Sequence, residues 1–331
     1  MVEKLLPSER KRKRLIKVFA KTNPHYGMKP EERTVEELLT MGLINLDKPC
    51  GPTSHQVDSW VKDILEVSKV GHGGTLDPRV TGVLPVATGE GTKALKVLLT
   101  AGKEYVGVMR LHKNVDKNLL FSTCQGFVGD VYQTPPLRSA VKRVRRKRRI
   151  YYFDVLEMKD KEVLFRVGCE AGTYIRTLCV DIGKRLKVGA HLQELRRTKV
   201  GRLREDDAVT LHDLKDGYTL WKQDGYEAEI RRCIQPIEVA ALHLPKVVVR
   251  DSAVDALCHG ASLALPGVVE VDTGIKRDDT VGVITLKGEL VMVGEAAMST
   301  EEMLQKDTGV CIIPNRVIMK KGTYPKLWKK T

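Results

Sequence analysis

The apolar pattern of this chain changes at Leu244-Pro245, and that change limits the folds it can adopt. Before this point, stretches with helical spacing alternate with short apolar strands. After Leu257 the helical spacing fades, and short β segments separated by Gly and Asp follow at 246–249, 268–271, 281–286, 290–295 and 310–313. The sequence therefore predicts an α+β body followed by a small, mostly β barrel of about 80 residues.

Three parts are expected along the chain. Residues 1–35 form a basic N-terminal extension, 36–243 a mixed domain, and 244–325 the β unit. The run from Glu9 to Lys17 (E-R-K-R-K-R-L-I-K) has three interpretations: a solvated tail, an arm on RNA phosphates, or a segment packed on another domain. We favour packing on the C-terminal unit.

The chain is strongly basic, with 56 Lys and Arg residues against 42 Asp and Glu, for a net charge of +14. Such a charge favours a polyanionic partner, which can be RNA, DNA or an anionic membrane surface. No apolar run reaches the ~18 residues that a spanning helix needs, and Met1 to Lys17 lacks the apolar core of a signal peptide. Nucleic acid is therefore the expected partner, with no membrane.

The densest charge lies just before Tyr151, where K-R-V-R-R-K-R-R places seven cations in eight positions. A solvated surface run is one interpretation, and contact with nucleic-acid phosphates is the one we favour. Binding through these residues would depend steeply on salt. The cations are Lys142, Arg143, Arg145, Arg146, Lys147, Arg148 and Arg149.

Cysteine and glycine patterns argue against several classes of site. The seven cysteines are scattered and no C-x-x-C occurs, which argues against a disulfide framework and a zinc site. We interpret them as reduced thiols of a cytoplasmic protein, with a nucleophilic cysteine as the alternative. Gly89 to Lys93 lacks the phosphate-loop spacing G-x-x-x-x-G-K-[ST], so nucleotide hydrolysis is excluded.

One carboxylate, Asp77, lies in the Gly-rich stretch from Val70 to Val86, V-G-H-G-G-T-L-D-P-R-V-T-G-V-L-P-V. The preceding glycines allow positive φ and a close approach of another backbone. Pro78 keeps Asp77 out of the α region and fixes the turn behind it. The pattern fits an ordinary surface turn, and it also fits a single acid held at a fixed angle.

Two neighbouring stretches add candidate residues. In N-L-D-K-P-C-G-P-T-S-H, which begins at Asn45, Ser54 is positioned to cap the helix that follows. K-E-Y-V-G-V-M-R-L-H, from Lys103, alternates as a strand. Tyr105 on that strand is either a plain strand aromatic or part of a site.

A helix is predicted from Tyr174 to Leu186, with Arg176 in its first turn. The helix dipole does not favour a cation there, so Arg176 has either a specific anionic partner or a plain surface position. Gly189 to Arg204 predicts a short helix that runs into a basic strand.

These stretches together resemble the TruB-type pseudouridine synthases, and more closely their dyskerin branch. The matching motifs are G-H-G-G-T-L-D-P-x-x-T-G-V-L-P-V, N-L-D-K-P-x-G-P-T-S-H, A-G-K-E-Y-V-G-V-M-R-L-H and C-E-A-G-T-Y-I-R-T-L, followed by L-Q-E-L-R-R. From Asp251 the sequence resembles the start of a PUA domain. The C-terminal R-V-I-M-K-K-G-T-Y-P-K-L-W resembles the dyskerin branch, and the resemblance runs from near Thr34 to Trp328.

The resemblance implies a fold, an activity and partners. The fold is α+β, with a mixed, mainly antiparallel central sheet flanked by helices, plus a small β-barrel PUA domain. The activity is guided isomerisation of uridine to pseudouridine in rRNA and tRNA, with no metal or other cofactor. Implied partners are a box H/ACA guide RNA, a small zinc-binding protein, a Gly/Arg-type accessory protein and a kink-turn-binding protein. The compact form resembles archaeal members, which are cytoplasmic; a eukaryotic member would be nucleolar.

The resemblance also implies roles for individual residues. Asp77 would be the catalytic carboxylate, and the Arg176 fork would hold it bidentately and keep it ionised. Tyr105 would stack on the extruded uracil and shuttle a proton. Lys48 and Pro49 would form the pocket floor and Leu195 an apolar wall, with His72 and Thr75 touching the RNA.

The remaining expectations concern RNA contacts and metal. The segment from Lys142 would be a mobile loop that closes over substrate, and Gly260, Leu265 and Gly267 would lie near the surface that holds the guide's ACA end. His72 is rejected as a metal ligand because no carboxylate or His stands at ligand spacing in the sequence.

Three functions stay open from the sequence. The first is guide-directed pseudouridine synthesis. The second is a stand-alone synthase for the tRNA T-loop, and the two activities can coexist in one protein. The third is a non-catalytic RNA scaffold, which the joint presence of Asp77, Tyr105 and Arg176 disfavours.

Overall fold

The computed structural model describes residues 5–135 and 143–327. The helices are Val35–Thr40 (α1), Ser54–Leu65 (α2), Leu95–Thr100 (α3), Lys117–Gln125 (α4), Ile175–Arg185 (α5), Leu211–Asp224 (α6), Ala228–Cys233 (α7), Asp251–Cys258 (α8) and Thr300–Gln305 (α9). The first strands are Arg14–Ile16 (β1), Gly42–Lys48 (β2), Val70–His72 (β3), Thr81–Thr88 (β4), Lys103–Leu111 (β5), Gly129–Gln133 (β6), Arg146–Lys159 (β7), Glu162–Cys169 (β8) and Ala190–Val200 (β9). The others are Leu203–Arg204 (β10), Gln235–Pro236 (β11), Lys246–Val249 (β12), Leu263–Ala264 (β13), Val268–Asp272 (β14), Thr280–Thr285 (β15), Leu290–Ala296 (β16) and Val310–Val317 (β17).

Ten of the described strands form the first sheet, in the order β11-β2-β4-β9-β5-β8-β7-β6, with β3 beside β4 and β10 beside β9. Strands β4 and β9 run parallel, and the other pairs are antiparallel. The predicted mixed, mainly antiparallel sheet is therefore confirmed.

Helices cover this sheet because their apolar faces match its buried side chains. Val57 and Val61 of α2 join Leu46 and Leu84 in one core cluster, which also takes in residues of α6 and α7. A second cluster joins α4 and α5 to β5, β7 and β8, and there the rings of Phe153 and Phe165 stack with centroids 5.2 Å apart. Each such fully buried side chain contributes about 1.5–3 kcal/mol.

The second sheet takes the order β1-β14-β12-β15-β16-β17-β13. Here β12 and β15 are parallel, and α8 and α9 contribute apolar side chains to the same core. The N-terminal strand β1 pairs with β14, so that Arg14 faces Asp272. The basic segment around Arg14 is therefore part of this sheet. Closure of the sheet into a barrel stays a prediction.

One apolar cluster runs across the junction of the two sheets. It joins Val83 and Leu98 of the first part to Val248 and Leu290 of the second. Beside it, the buried Arg33 guanidinium donates two hydrogen bonds of 2.8 Å to Glu238.

The short helix predicted within residues 189–204 is wrong. Residues 189–204 contain no helix, because Ala190 to Val200 form β9, which pairs with β5 along its length. Sheet pairing overrides the weak helical pattern there. Separately, no helix within the described ranges has the length and apolar character needed to cross a membrane.

Candidate active site

Asp77 lies on the turn between β3 and β4, here called the Asp77 turn (residues 73–80). Its side chain is 66% exposed. The turn is closed by a 3.0 Å hydrogen bond from Val80 N to the Asp77 carbonyl. Gly74 has φ +134°, a conformation that side chains disfavour. The sequence therefore presents one carboxylate at the surface on a constrained backbone.

Lys48 fixes this turn from beneath. The side chain is fully buried, and its amine donates to the carbonyl oxygens of Pro49, Pro78 and Val80 at 2.9, 3.1 and 3.0 Å. Burial lowers the pKa of Lys48, while the charges of Cys50 and Asp77 act in the opposite direction. Lys48 was predicted as pocket floor, and in the structure its amine is committed to three main-chain carbonyls, two of which belong to the Asp77 turn.

Arg197 is a second buried cation under the turn, and the sequence analysis did not single it out. It is 1% exposed, and it donates from Nε to the Val83 carbonyl at 2.7 Å and from Nη2 to the Gly74 carbonyl at 2.9 Å. A Cβ on Gly82 would lie 2.2 Å from the Arg197 carbonyl oxygen, so this approach requires glycine. Strand periodicity is the sequence signal that could have predicted its burial, because it puts Arg197 on the same face of the strand as the apolar Leu195.

Ser54 holds the residue that precedes Asp77. Its hydroxyl accepts from Leu76 N at 2.9 Å and donates to the Leu76 carbonyl at 3.1 Å. The prediction that Ser54 caps the helix is wrong, since Thr53 caps α2 by accepting from Gln56 N. The Ser54 hydroxyl is instead used to tie α2 to the Asp77 turn.

Arg176 is the charged partner of Asp77. An Arg176 Nη2 donates to Asp77 Oδ2 at 3.2 Å, and both side chains are 66% exposed. The expected bidentate contact is wrong in this structure, because a single nitrogen reaches the carboxylate from the first turn of α5. An exposed single contact of this kind is weak in water.

Tyr105 lies next to the same support. In the β5–β9 pairing Tyr105 faces Arg197. Burial raises the pKa of Tyr105, and the nearby Arg197 charge opposes that shift. Leu195, on the same strand as Arg197, is half-buried and packs with Tyr105 against two core clusters. The Tyr105 ring and the apolar Leu195 side chain therefore lie on strands next to Arg197, one of the two cations that support the Asp77 turn.

His72 and Thr75 are joined to each other and to α2. His72 Nε2 lies 3.1 Å from Thr75 Oγ1, and His72 Nδ1 lies 2.7 Å from Asp58 Oδ2. The reason given for rejecting metal at His72 is therefore wrong, because the fold brings Asp58 and His55 to its imidazole. Helix α2 supplies both partners, which sequence spacing alone could not place. Pro49 and Thr75 are exposed near the Asp77 turn.

The cysteine chemistry is restricted by burial. Cys50 is exposed, and the other six are buried. Burial raises the pKa of Cys124 and of Cys169 to about 12. Thiolates, the nucleophilic form, are therefore disfavoured at these two positions.

Family models cover most of the chain. Residues 62–175 match the TruB family pseudouridylate synthase N-terminal domain, and residues 176–241 match the tRNA pseudouridylate synthase B C-terminal domain. Residues 245–318 match the PUA domain, and residues 4–58 match the DKCLD (NUC011) domain.

Curated relatives match along nearly the full length. The probable tRNA pseudouridine synthase B of Methanopyrus kandleri is 53% identical over 326 residues, covering 98% of this chain and 96% of the relative. That of Thermococcus kodakarensis is 54% identical over 331 residues, covering 99% and 98%. The chain belongs to the TruB family of pseudouridylate synthases.

The chain is also similar in structure to chains of two solved complexes. It is similar to a chain in the crystal structure of a Cbf5–Nop10–Gar1 complex, with a TM-score of 0.94, 52% identity, and coverage of 99% of this chain and 100% of that one. It is also similar to a chain in an H/ACA RNP bound to a substrate RNA containing 2′-deoxyuridine, with a TM-score of 0.91, 50% identity, and coverage of 98% and 100%.

The basic segment of this TruB-family chain is partly ordered as a strand. Lys142 lies outside the described residues. Arg143 and Arg145 precede β7, whereas Arg146, Lys147, Arg148 and Arg149 belong to β7 and pair with β6. The expectation of a loop is therefore wrong for 146–149, where main-chain pairing to residues 129–133 organises the segment.

The cations of this segment differ in the partners that their side chains contact. Lys147 is 2.7 Å from Asp130, Arg148 is 3.7 Å from Glu170, and the Arg145 guanidinium lies 4.8 Å from the Tyr132 ring centroid. For the remaining three, the described residues provide no ion-pair partner; they are Arg143, Arg146 and Arg149, all exposed.

The PUA-domain residues predicted to lie near RNA fall into different environments. Gly260 is exposed, with φ +88° and no atom within 4 Å of an added Cβ. Gly267 is half-buried, and a Cβ there would meet Ala253 and Leu263 at 3.0 Å. The Leu265 side chain is fully buried in the core of the second sheet, and its place near the guide-binding surface stays a prediction.

Proposed function

We propose that this chain isomerises uridine to pseudouridine in RNA, with Asp77 as the catalytic carboxylate. One observation carries the assignment: Asp77 is an exposed carboxylate on a turn that buried Lys48 and Arg197 hold through main-chain carbonyls. Membership of the TruB family supports the reaction class.

The chemistry is balanced without an oxidant or reductant. The C1′–N1 glycosidic bond breaks, the uracil turns, C1′ bonds to C5, and the C5 proton is replaced by a proton on N1. A carboxylate is able to act on C1′, on the base, or on the 2′ proton, and Asp77 would act by one of these routes. Arg176 would gain strength as a donor once bound RNA excludes water from its contact with Asp77.

The neighbouring residues receive supporting roles. Tyr105 would stack on the extruded base and take part in the C–H step, with Leu195 as an apolar wall. Pro49, His72 and Thr75 would border the RNA beside the Asp77 turn. Lys48 would shape the pocket through the turn it holds. These roles use the side chains that surround Asp77 and the support beneath it.

We further propose that a box H/ACA guide RNA selects the target uridine, in complex with partners of the Nop10 and Gar1 kind and a kink-turn-binding protein. The likeness to chains solved in such assemblies supports this. Residues 36–243 would be the catalytic domain, with the 1–35 extension packed on a guide-binding PUA domain at 244–325. The exposed cations from Arg143 to Arg149 would engage RNA phosphates, and the cell compartment would be an archaeal cytoplasm.

A guide-swap reconstitution tests the proposed function. The full chain, its partner proteins and a guide RNA are mixed with substrate RNA labelled with tritium at uridine C5, and tritium release is measured with the product position. Replacing the guide sequence is expected to move the product to the newly paired uridine.

The same experiment separates the alternatives. Efficient modification of the tRNA T-loop by the chain alone, without guided product in the full complex, would favour the stand-alone synthase. Tight RNA binding with no tritium release in any combination would favour the scaffold. Either result contradicts guided catalysis.

A further inference from the structure

Three potential metal ligands converge beside the Asp77 turn. His55 and Asp58 lie in the first two turns of α2, and His72 ends β3. One ligand atom from each residue lies within 4.8 Å of the others. Within residues 5–135 and 143–327, this is the only group of three or more His, Cys, Asp or Glu side chains so arranged.

The distances are close to those of a coordination site. Asp58 Oδ2 lies 2.7 Å from His72 Nδ1 and 3.9 Å from His55 Nδ1. Zinc binds nitrogen and oxygen ligands at about 2.0–2.2 Å in a tetrahedron, which separates neighbouring ligand atoms by roughly 3.3–3.5 Å. The two Asp58 distances differ from that spacing by less than about 1 Å, and the ligand atoms of His55 and His72 lie within 4.8 Å of each other. The i,i+3 spacing of His55 and Asp58 already puts both on one helix face.

Two further observations fit a metal site. Asp58 Oδ1 is buried, and the described residues give it no hydrogen-bond partner. The other nitrogen of His72, Nε2, faces the Thr75 hydroxyl at 3.1 Å. A second hydrogen bond of this kind is what orients a metal-bound imidazole. The His55 side chain is 84% exposed, so an ion held here would keep an open position toward solvent.

We propose that His55, Asp58 and His72 form a binding site for one divalent transition-metal ion. Imidazole and carboxylate donors in this number suit Zn²⁺ better than Mg²⁺ or Ca²⁺, which prefer oxygen ligands. Binding replaces the Asp58–His72 hydrogen bond with two metal bonds, and His72 then donates from Nε2 to Thr75. The open position takes water or a phosphate oxygen of RNA. None of the three metal ligands is among the residues proposed to act on the uridine, although His72 also borders the RNA in the proposed function.

Zinc titration of the purified full chain tests the site, with calorimetry against a competing chelator. We expect one bound Zn²⁺. His55→Ala and Asp58→Asn should each weaken binding by at least about tenfold, since losing even an outer partner of a metal ligand costs about 10–100-fold in affinity. His55 is exposed, so its variant is expected to fold. Two matched controls are Asp255→Asn and His191→Gln, because Asp255 lies beside one histidine, His259, and His191 beside one other, His112, with no third ligand in either group of the described residues. A third control, Cys50→Ser, removes an exposed thiol. The controls should bind as wild type.

NMR spectra of the histidine side chains test whether the ion is bound at His72. Long-range ¹H–¹⁵N correlation spectra should show His72 with zinc at Nδ1 and the proton at Nε2, and this signature should vanish in Asp58→Asn. The proposal is overturned if no zinc binds above the level of the His55→Ala, Asp58→Asn double variant. It is equally overturned if the bound ion leaves the His72 resonances unchanged.

Discussion

The Asp77 turn and the start of β7 are both polar and exposed, yet different interactions hold them. Beneath the Asp77 turn, Lys48 and Arg197 are buried and donate to main-chain carbonyls. At the start of β7, Lys147 and Arg148 make side-chain ion pairs at the surface. One region holds a backbone from inside, and the other presents charge to the solvent.

This difference separates positioning from affinity. Buried hydrogen bonds from a cation to carbonyls are little screened by salt and fix atoms closely. Exposed ion pairs contribute about 0–1 kcal/mol each and weaken as salt rises. We therefore expect the support of the Asp77 turn to control the chemical step. The β7 segment should control how tightly RNA binds.

Among the variants that test this comparison, Arg197→Met is expected to have the largest effect on stability. The substitution leaves the carbonyls of Val83 and Gly74 without their buried donor, which should lower the free energy of unfolding by about 2–4 kcal/mol. Displacement of the turn should also reduce single-turnover product formation by about 10²-fold. Denaturant unfolding and rapid-quench assays at a temperature where the variant is folded measure both.

Arg196→Met is the matched control, because Arg196 is adjacent on the same strand and partly exposed. It pairs with Asp47 at 2.9 Å and with Glu205 at 2.6 Å. Its loss should cost about 1 kcal/mol. Equal losses in the two variants would contradict the special role assigned to the buried cation.

Arg176→Ala should separate activity from stability. The single exposed contact with Asp77 predicts a change in unfolding free energy below about 0.5 kcal/mol. Loss of a donor aimed at the catalytic carboxylate should still lower the single-turnover rate by about 10²-fold. Arg185→Ala, at the exposed far end of α5, is the control and should match wild type. A rate unchanged by Arg176→Ala would remove Arg176 from the site.

The smallest effect per residue is expected at the basic segment. Replacing Arg143, Arg146 and Arg149 together by Gln should weaken RNA binding and reduce the slope of log affinity against log salt by about 2–3. Single-turnover rates at saturating RNA should stay near wild type. Filter binding across a salt series measures the slope.

A control for charge alone neutralises three exposed cations elsewhere, Lys215, Lys222 and Arg232, on or next to α6 and α7. That variant should keep the wild-type salt slope. If both triple variants reduced the slope of log affinity against log salt equally, the β7 segment would have no special role in RNA binding.

Much of the fold follows from sequence because its signals are local. Alternation marks β5, helical spacing marks α5, and the change of texture after Leu244 marks the second sheet. Asp77 could likewise be recognised as a candidate from the sequence, since the Gly and Pro residues around this lone acid restrict the backbone. Its contact with Arg176 came from the family resemblance, and the structure places one nitrogen at 3.2 Å.

The rest depended on contacts between distant segments. Arg197 looks like one more cation in a basic strand until β4 and β5 enclose it. Ser54 has the spacing of a cap, yet its hydroxyl is used by Leu76. Asp58 meets His72 because α2 packs beside β3. Helix or strand propensity cannot report such partners, since they are set by tertiary packing.

The most direct test of the central assignment is Asp77→Asn in the reconstituted complex, with product formation and RNA binding measured on the same sample. The exposed position predicts a folded protein, and Asn keeps the shape of the side chain while removing its charge. We expect RNA affinity within about threefold of wild type, a change of less than about 1 kcal/mol in binding free energy. We expect tritium release to fall by at least about 10⁴-fold, because no other carboxylate in the matched motifs can substitute. Turnover near the wild-type rate would contradict the account.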